Sequence, residues 1–344
     1  MKTPKNFFFV FLFIWLTGGN VSAQTFKNPL LPSGADPYST YYKGVYYYTH
    51  TLGNRLMLWK TINLADLKNA ESKLIWTPPQ GTNYSKEIWA PEFHIINGKW
   101  YAYFAADDGD NSNHRMYVLE NTSEDPFKGT WEFKGKIAAS PDRWAIDGNI
   151  FEYKEQLYMI WAGWEGNVNV QQNIYIAKMS NPWTIEGSRV LISQPKYNWE
   201  KQGDLNDDVN PPHVNVNEGP QFLEHNDDVF IIYSASGCWT DFYNLGMLRL
   251  TGDNPMNPQD WTKHDKPIFT KSEANGVYAP GHNSFFKSPD GKEDWILYHA
   301  NDNPGDGCGT KRSPRMQKIN WNKDGTPNLG IPVSNNEILK TPPK

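Results

Sequence analysis

The chain has 344 residues, a formal net charge of −5 and a pI near 5.9. Acidity without a basic stripe argues against a nucleic-acid partner and against an anionic membrane surface. The length exceeds a typical single domain, but all-β barrels and propellers reach it as one unit.

The first residues read as a targeting segment. Lys2 and Lys5 precede the apolar run "FFFVFLFIWL" (Phe7–Leu16), and "NVSAQ" then offers Val21 and Ala23 as small residues before Gln24. The run is about half of the ~20 residues that span a bilayer. Residues 1–23 are therefore expected to be a secretory signal peptide cleaved near Ala23. No cysteine follows for a lipid anchor. Residues 24–344 are expected to be one secreted or periplasmic domain without a membrane span, acting as a monomer. Cys238 and Cys308, the two cysteines of the chain, make no disulfide framework. One bridge or two free thiols both stay open.

A hairpin pattern then recurs along the chain. After Asp36 come "YSTYY", the turn "KG" and "VYYYTHT". After Trp89–Glu92 ("WAPE") come "FHII", "NG" and "KWYAYFAA". After Trp144–Asp147 ("WAID") come "GNIFEY", "KE" and "QLYMIWAG". After "NEG" come "PQFLE", "HNDD" and "VFIIYSAS", and after "YAPGH" come "NSFFKS", "PDGKED" and "WILYHA". Each is an aromatic or alternating run, a polar turn and a second run, which is a hairpin signature. A third and a fourth short run follow each hairpin, the last fourth run being the weak "NLGIPV". Four strands, repeated five times, predict an all-β fold: a five-bladed β-propeller with four antiparallel strands per blade. A β-sandwich would share the turn spacing but not the fivefold repeat.

In such a fold the first strands line the central axis, so Asp36, Glu92, Asp147, Glu218 and His282 are expected to converge at one end of it. Unpaired buried charge is costly, so that coincidence points to chemistry. Clustered carboxylates push each other's pKa values apart, and glycoside hydrolysis needs one protonated and one ionised carboxyl. The 15 Trp, 18 Tyr and 17 Phe also favour a glycan ligand, because sugar rings stack on such faces. No D-x-D-x-D-G run suggests a calcium loop.

The strings "ADPY", "IWAPEFH", "WAIDGNIF", "NEGPQFL" and "YAPGHNSF", in this order, resemble glycoside hydrolase family 43 over nearly all of residues 24–344. "HRMYVLEN", "QNIYIAKMSNPW" and "YSASGCWTD" are most similar to its exo-1,5-α-L-arabinofuranosidase branch. The resemblance implies a five-bladed propeller and hydrolysis with inversion, releasing L-arabinofuranose from arabinan or arabinoxylan. It implies Asp36 as general base, Glu218 as general acid and Asp147 as the residue that orients Glu218 and raises its pKa. By the same route Trp89 would stack on sugar, Glu92 would meet a hydroxyl, and His282 would mark an axial calcium or water site. No cofactor is required for the chemistry. Of Arg312 and Arg315, Arg315 is the preferred substrate contact. The loops "ADDGDNSN", with His114 and Arg115 behind it, and "WEGNVNVQQ" are expected at the pocket rim, and "KQGDLNDDVNPPHVNV" (Lys201–Val216) beside it. β-Xylosidase, endo-arabinanase and a non-catalytic sugar-binding propeller are the alternatives. The invertase-like motifs are absent, since Ala35-Asp36-Pro37-Tyr38 and "WAID" stand in their places.

Overall fold

The computed structural model describes Met1, residues 24–202 and residues 214–344. The expected signal segment and most of the Lys201–Val216 insertion lie outside the described residues. Within them the chain is all-β, with short 3-10 turns and no α-helix. After β1 (Thr25–Phe26), a first antiparallel sheet runs β2 (Tyr38–Tyr42), β3 (Val45–Thr49), β4 (Leu56–Thr61) and β5 (Glu71–Trp76). The second is β6 (Lys86–Ile96), β7 (Lys99–Asp107), β8 (Arg115–Asn121) and β9 (Glu132–Ile137). The third is β10 (Ala145–Tyr153), β11 (Gln156–Gly163), β12 (Gln171–Asn181) and β13 (Thr184–Ser193). The fourth is β14 (Asn215–His225), β15 (Asp228–Ala235), β16 (Asn244–Leu250) and β17 (Trp261–Lys263). A short parallel pairing of Gln171 and Gln172 with Asn215 and Val216 joins it to the third.

The fifth sheet departs from the expected count. It has three strands, β18 (Tyr278–Lys287), β19 (Asp294–Asn301) and β20 (Ser313–Lys318). The expected fourth run, "NLGIPV", does not join it. Instead β21 (Asn320–Trp321) pairs with β22 (Pro327–Asn328) as a separate ribbon. The open edge of β20 is met by the N-terminal segment. Leu30 N donates to Pro314 O at 2.8 Å and Gly34 N to Arg312 O at 2.9 Å. The Asn28 side chain bonds both the N–H and the C=O of Met316, each at 3.0 Å. Backbone groups of an edge strand need partners, and a remote segment supplies them. β23 (Leu339–Lys340) pairs with β1, tying the two ends of the described chain together.

The core lies between neighbouring sheets, which explains the aromatic abundance. Tyr42 meets Trp100 edge-on at 5.6 Å between the first and second sheets. Phe151 stacks on Phe222 at 4.3 Å between the third and fourth. Tyr46 meets Phe286 at 5.5 Å, so the fifth sheet packs on the first. One buried cluster contains Phe26, Tyr46, Tyr48, Phe286, Trp295 and Met316, from both ends of the sequence. Flat side chains fill the wedge between twisted sheets at high contact area.

Candidate active site

The inner strands share one irregularity. Trp89 faces Ala105 and Glu92 faces Tyr103, so three steps on β6 match two on β7. The same extra residue separates Ile146 from Asn149, Glu218 from Gln221 and Gly281 from Ser284. Ahead of β2, Ala35 accepts from Thr51 N at 3.0 Å while Tyr38 faces Thr49, which is the same bulge. The inserted residue is in the left-handed region in every case: φ is 56° at Asp36, 43° at Ala90, 57° at Asp147, 53° at Gly219 and 45° at His282. Such conformations are uncommon for non-glycine residues and gather at functional sites. Pro37, Pro91 and Pro220 follow three of them, at a bulge where the ladder needs no donor.

This register corrects the equivalence read from the sequence. Asp36, Asp147 and His282 do occupy matching positions, but their counterparts are Ala90 and Gly219, not Glu92 and Glu218. Glu218 stands one residue earlier and Glu92 two later. Glu92 therefore does not line the cavity. It lies in a belt with the residues at matching positions, Tyr38, Asn149, Gln221 and Ser284. Glu92 Oε2 accepts from Asn149 Nδ2 at 2.9 Å and meets His94 Nε2 at 2.7 Å, while Gln221 Nε2 donates to Oε1. Tyr38 and Ser284 extend the belt to the first and fifth sheets through His94 Nδ1 and Pro37 O, at 3.4 and 2.9 Å.

Above this belt is a cavity of about 470 Å³, lined by Asp36, Asp147 and Glu218, with Trp89, His282 and Arg312 among its walls. All three carboxyls are buried. Asp36 Oδ1 accepts from Arg312 Nη1 at 3.0 Å and Oδ2 from Thr51 Oγ1 at 2.6 Å. Thr51 Oγ1 in turn accepts from Ala90 N at 2.7 Å, so its hydroxyl proton points at Asp36. Asp36 N donates to His299 Nδ1 at 3.0 Å, which leaves the imidazole proton on Nε2. His282 Nδ1 lies 3.4 Å from Asp36 Oδ1. Burial opposes ionisation of Asp36, but Arg312, His282, His299 and the Thr51 hydroxyl together hold its carboxyl well below the usual range. Burial pushes both imidazoles below their ordinary values, His299 strongly.

The other two carboxyls go the opposite way. Burial, then repulsion from Glu218 and Asp36, drives Asp147 well above the carboxylate range, although Gly219 N donates to its Oδ2 at 2.9 Å. Burial and the charge of Asp36 push Glu218 up to about 7, against the Tyr243 hydroxyl, which donates to its Oε1 at 2.8 Å. Tyr243 is placed by the fifth sheet: its ring stacks on His299 at 5.7 Å, and it passes over Gly281. A Cβ at Gly281 would overlap the Tyr243 ring. Gly281→Ala is therefore expected to destabilise by roughly 1–3 kcal/mol and to lower kcat as Tyr243 leaves Glu218. Thermal melts and rates on the same sample check both effects.

Of the expected wall residues, Trp89 lines the cavity, backed by the His114 ring at 4.0 Å. Its indole N–H donates to Glu87 Oε2 at 3.1 Å. Arg315 does not line the cavity. It projects from β20 into the protein, fully buried, and donates to Asn335 Oδ1 at 2.5 Å and to Asp302. Arg312, three residues earlier, is the arginine of the site. Thr51, Trp144 and Trp239, which sequence reading missed as site residues, also contribute, as do Asn169 and Gln172 of the loop "WEGNVNVQQ". Asn169 Oδ1 and Gln172 Oε1 are buried acceptors without a protein hydrogen bond, an arrangement that suits hydroxyl donors of a ligand. Their loop thus lies at the rim, where the sequence places it. Cys238 and Cys308 form a disulfide with their Cα atoms 5.1 Å apart, and both line the cavity.

A family model described as glycosyl hydrolases family 43 matches residues 26–327. The chain is 41% identical over 319 residues to the extracellular exo-α-(1→5)-L-arabinofuranosidase of Streptomyces avermitilis, covering 90% of this chain and 64% of the other. It thus spans less than two thirds of that relative's length. A protein of the same name from Streptomyces chartreusis is 37% identical over 80% of this chain and 82% of its own. Among solved structures, α-L-arabinofuranosidase from Lactobacillus brevis is similar with a TM-score of 0.82 and 36% identity, covering 91% of this chain and 98% of that one. The chain belongs to glycosyl hydrolase family 43.

Proposed function

We propose that residues 24–344 form one catalytic unit, a five-bladed propeller that releases L-arabinofuranose from arabinan or arabinose-bearing polysaccharides by single displacement with inversion. The propeller reading is supported by five sheets packed in succession, with the fifth against the first. Among the described residues no helix is long and apolar enough to cross a membrane. The two Streptomyces relatives are named extracellular, which supports secretion.

One observation carries the chemistry: in one cavity Arg312 and the Thr51 hydroxyl bond Asp36, while Glu218 and Asp147 are buried without a bonded cation, which favours an ionised Asp36 beside two carboxyls raised above their usual range. Asp36 then acts as general base on a water, and Glu218 gives its proton to the departing glycosidic oxygen. Asp147 holds the bulge next to Glu218 through Gly219 N and so orients the acid, whose proton is kept by burial and the charge of Asp36, and Arg312 with Thr51 keeps Asp36 in its charged form. Trp89 offers a face for a sugar ring, and Asn169 and Gln172 accept from its hydroxyls. The names of the relatives support arabinofuranose as that sugar.

A cation beside His282 finds few donors. Calcium takes six to eight oxygen ligands, and among the described residues no group of three or more His, Cys, Asp or Glu is disposed to hold a metal. His282 instead serves Asp36 as a neighbour.

The test is a product profile on debranched 1,5-arabinan, branched arabinan and arabinoxylan. Arabinose as the sole early product is expected. Mixed oligomers from the start would replace exo with endo action, and xylose would replace the sugar. Binding without any product would favour the non-catalytic reading.

A further inference from the structure

The disulfide lies in the cavity wall, and the loop it holds carries the arginine that pairs with Asp36. Cys238 sits between β15 and β16, Cys308 between β19 and β20, a sequence separation of 70. The Cys308 loop is built from "NPGDGCGTKR", with φ of 76° at Gly305 and 71° at Gly307. Glycines give such a loop many accessible conformations and little stiffness of its own. Among the described residues its non-covalent tethers run through Asp302, which accepts from Arg315 and from Asn335 Nδ2 at 2.9 Å, and through two contacts nearer the cysteine. Gly305 N donates to Asp241 Oδ1 at 2.9 Å, and Asn301 Nδ2 to Gly307 O at 2.9 Å. Arg312 closes the loop, its N–H donating to Gly309 O at 3.4 Å and its carbonyl accepting from Gly34 N at 2.9 Å.

We propose that the Cys238–Cys308 disulfide is a positioning element of the catalytic site, fixing the glycine-rich loop so that the Arg312 guanidinium stays on Asp36. This rests on the reading of Asp36 as the base. A guanidinium is a rigid planar donor whose effect on a carboxylate depends on orientation. A cross-link between two sheets removes the loop conformations in which that orientation is lost. Among the described residues Arg312 lowers the Asp36 carboxyl most, ahead of His282, His299 and the Thr51 hydroxyl. Burial pushes the His282, His299 and His50 imidazoles below their ordinary values, and Asp147, Glu218 and the Tyr48 hydroxyl, all raised, also face Asp36. With Arg312 displaced, the carboxyl holds its proton to a higher pH and the base is lost from the acid side.

The double variant Cys238→Ser/Cys308→Ser is expected to lose roughly tenfold in kcat/KM, the worth of one charged hydrogen bond. The acid limb of its pH–rate profile is expected to move up by about one unit. The same substitutions placed on Arg312→Lys should cost little more, because the two changes act on one interaction. Equal losses in both backgrounds, or a lower melting temperature with an unmoved acid limb, would overturn the proposal and leave the bridge a merely structural one. Reducing the folded wild type with a phosphine, which takes the bridge to two thiols and is itself oxidised to the phosphine oxide, repeats the measurement without refolding a variant. The ¹³C carboxyl resonance of Asp36, assigned with Asp36→Asn, reads the same shift without turnover. If no arabinoside is hydrolysed, the functional reading fails, while this titration still decides the role of the disulfide.

Discussion

Glu218→Gln is expected to lower kcat on debranched arabinan by about 10²–10⁴-fold, the range in which a positioned general acid contributes. The loss is smaller on an aryl arabinofuranoside, whose leaving group departs without a proton. In the wild type the alkaline limb of kcat/KM is expected near pH 7, because burial and the charge of Asp36 push Glu218 up to about 7. In the variant that limb disappears. Stability moves the other way. A carboxyl raised in the folded state contributes fully below its unfolded pKa of about 4.3, and that contribution is lost as pH rises toward 7. Glutamine removes the penalty, so the variant is expected to melt higher than wild type at pH 8 and nearly equal at pH 4, by up to about 3 kcal/mol. Rates on two leaving groups and melts at two pH values test the assignment together. An unchanged rate on arabinan would take Glu218 out of the acid role.

Asp36→Asn lowers kcat by a similar factor of about 10²–10⁴, but on both substrates alike, because water must be activated whatever the leaving group. Azide, a nucleophile that needs no base, is expected to restore turnover of the aryl substrate. The product should be the glycosyl azide of inverted configuration, since attack comes from the face opposite the departing group. A retained azide would sink single displacement. The stability change is opposite in sign to that of Glu218→Gln. Asp36 is depressed in the folded state, so its contribution is present above an unfolded pKa of about 3.9 and is lost only as pH falls through the lower folded value. Asparagine forfeits it at neutral pH and leaves the largely buried Arg312 without its anion, a cost of about 3–5 kcal/mol. Two substitutions in one cavity thus shift the melting temperature in opposite directions at pH 8.

These opposite signs come from one cation. Three buried carboxyls would all resist ionisation, and Arg312 at 3.0 Å selects Asp36 from among them. On the proposed reading, the division of labour between base and acid is therefore a matter of placement, not of residue type.

The sequence by itself determined the local pieces. Alternating aromatic runs around Lys43-Gly44, Asn97-Gly98 and Lys154-Glu155 form hairpins because side-chain alternation and turn chemistry act between near neighbours. Asp36, Asp147 and Glu218 were legible as a set because each stands at or near the start of an inner strand in a recognisable string. The tertiary structure decided what depends on counting across strands. A bulge adds one residue that periodicity does not register, so Glu92 went to the belt and Glu218 to the cavity despite similar places in their strings. Arg312 and Arg315 are three residues apart, and only the path of the loop into β20 sends one to Asp36 and the other into the interior. The pairing of Cys238 with Cys308 depends on the fourth sheet meeting the fifth, and the use of residues 28–34 to cover β20 on the fifth packing on the first. Such contacts are set by which surfaces meet after folding, and no local pattern encodes them.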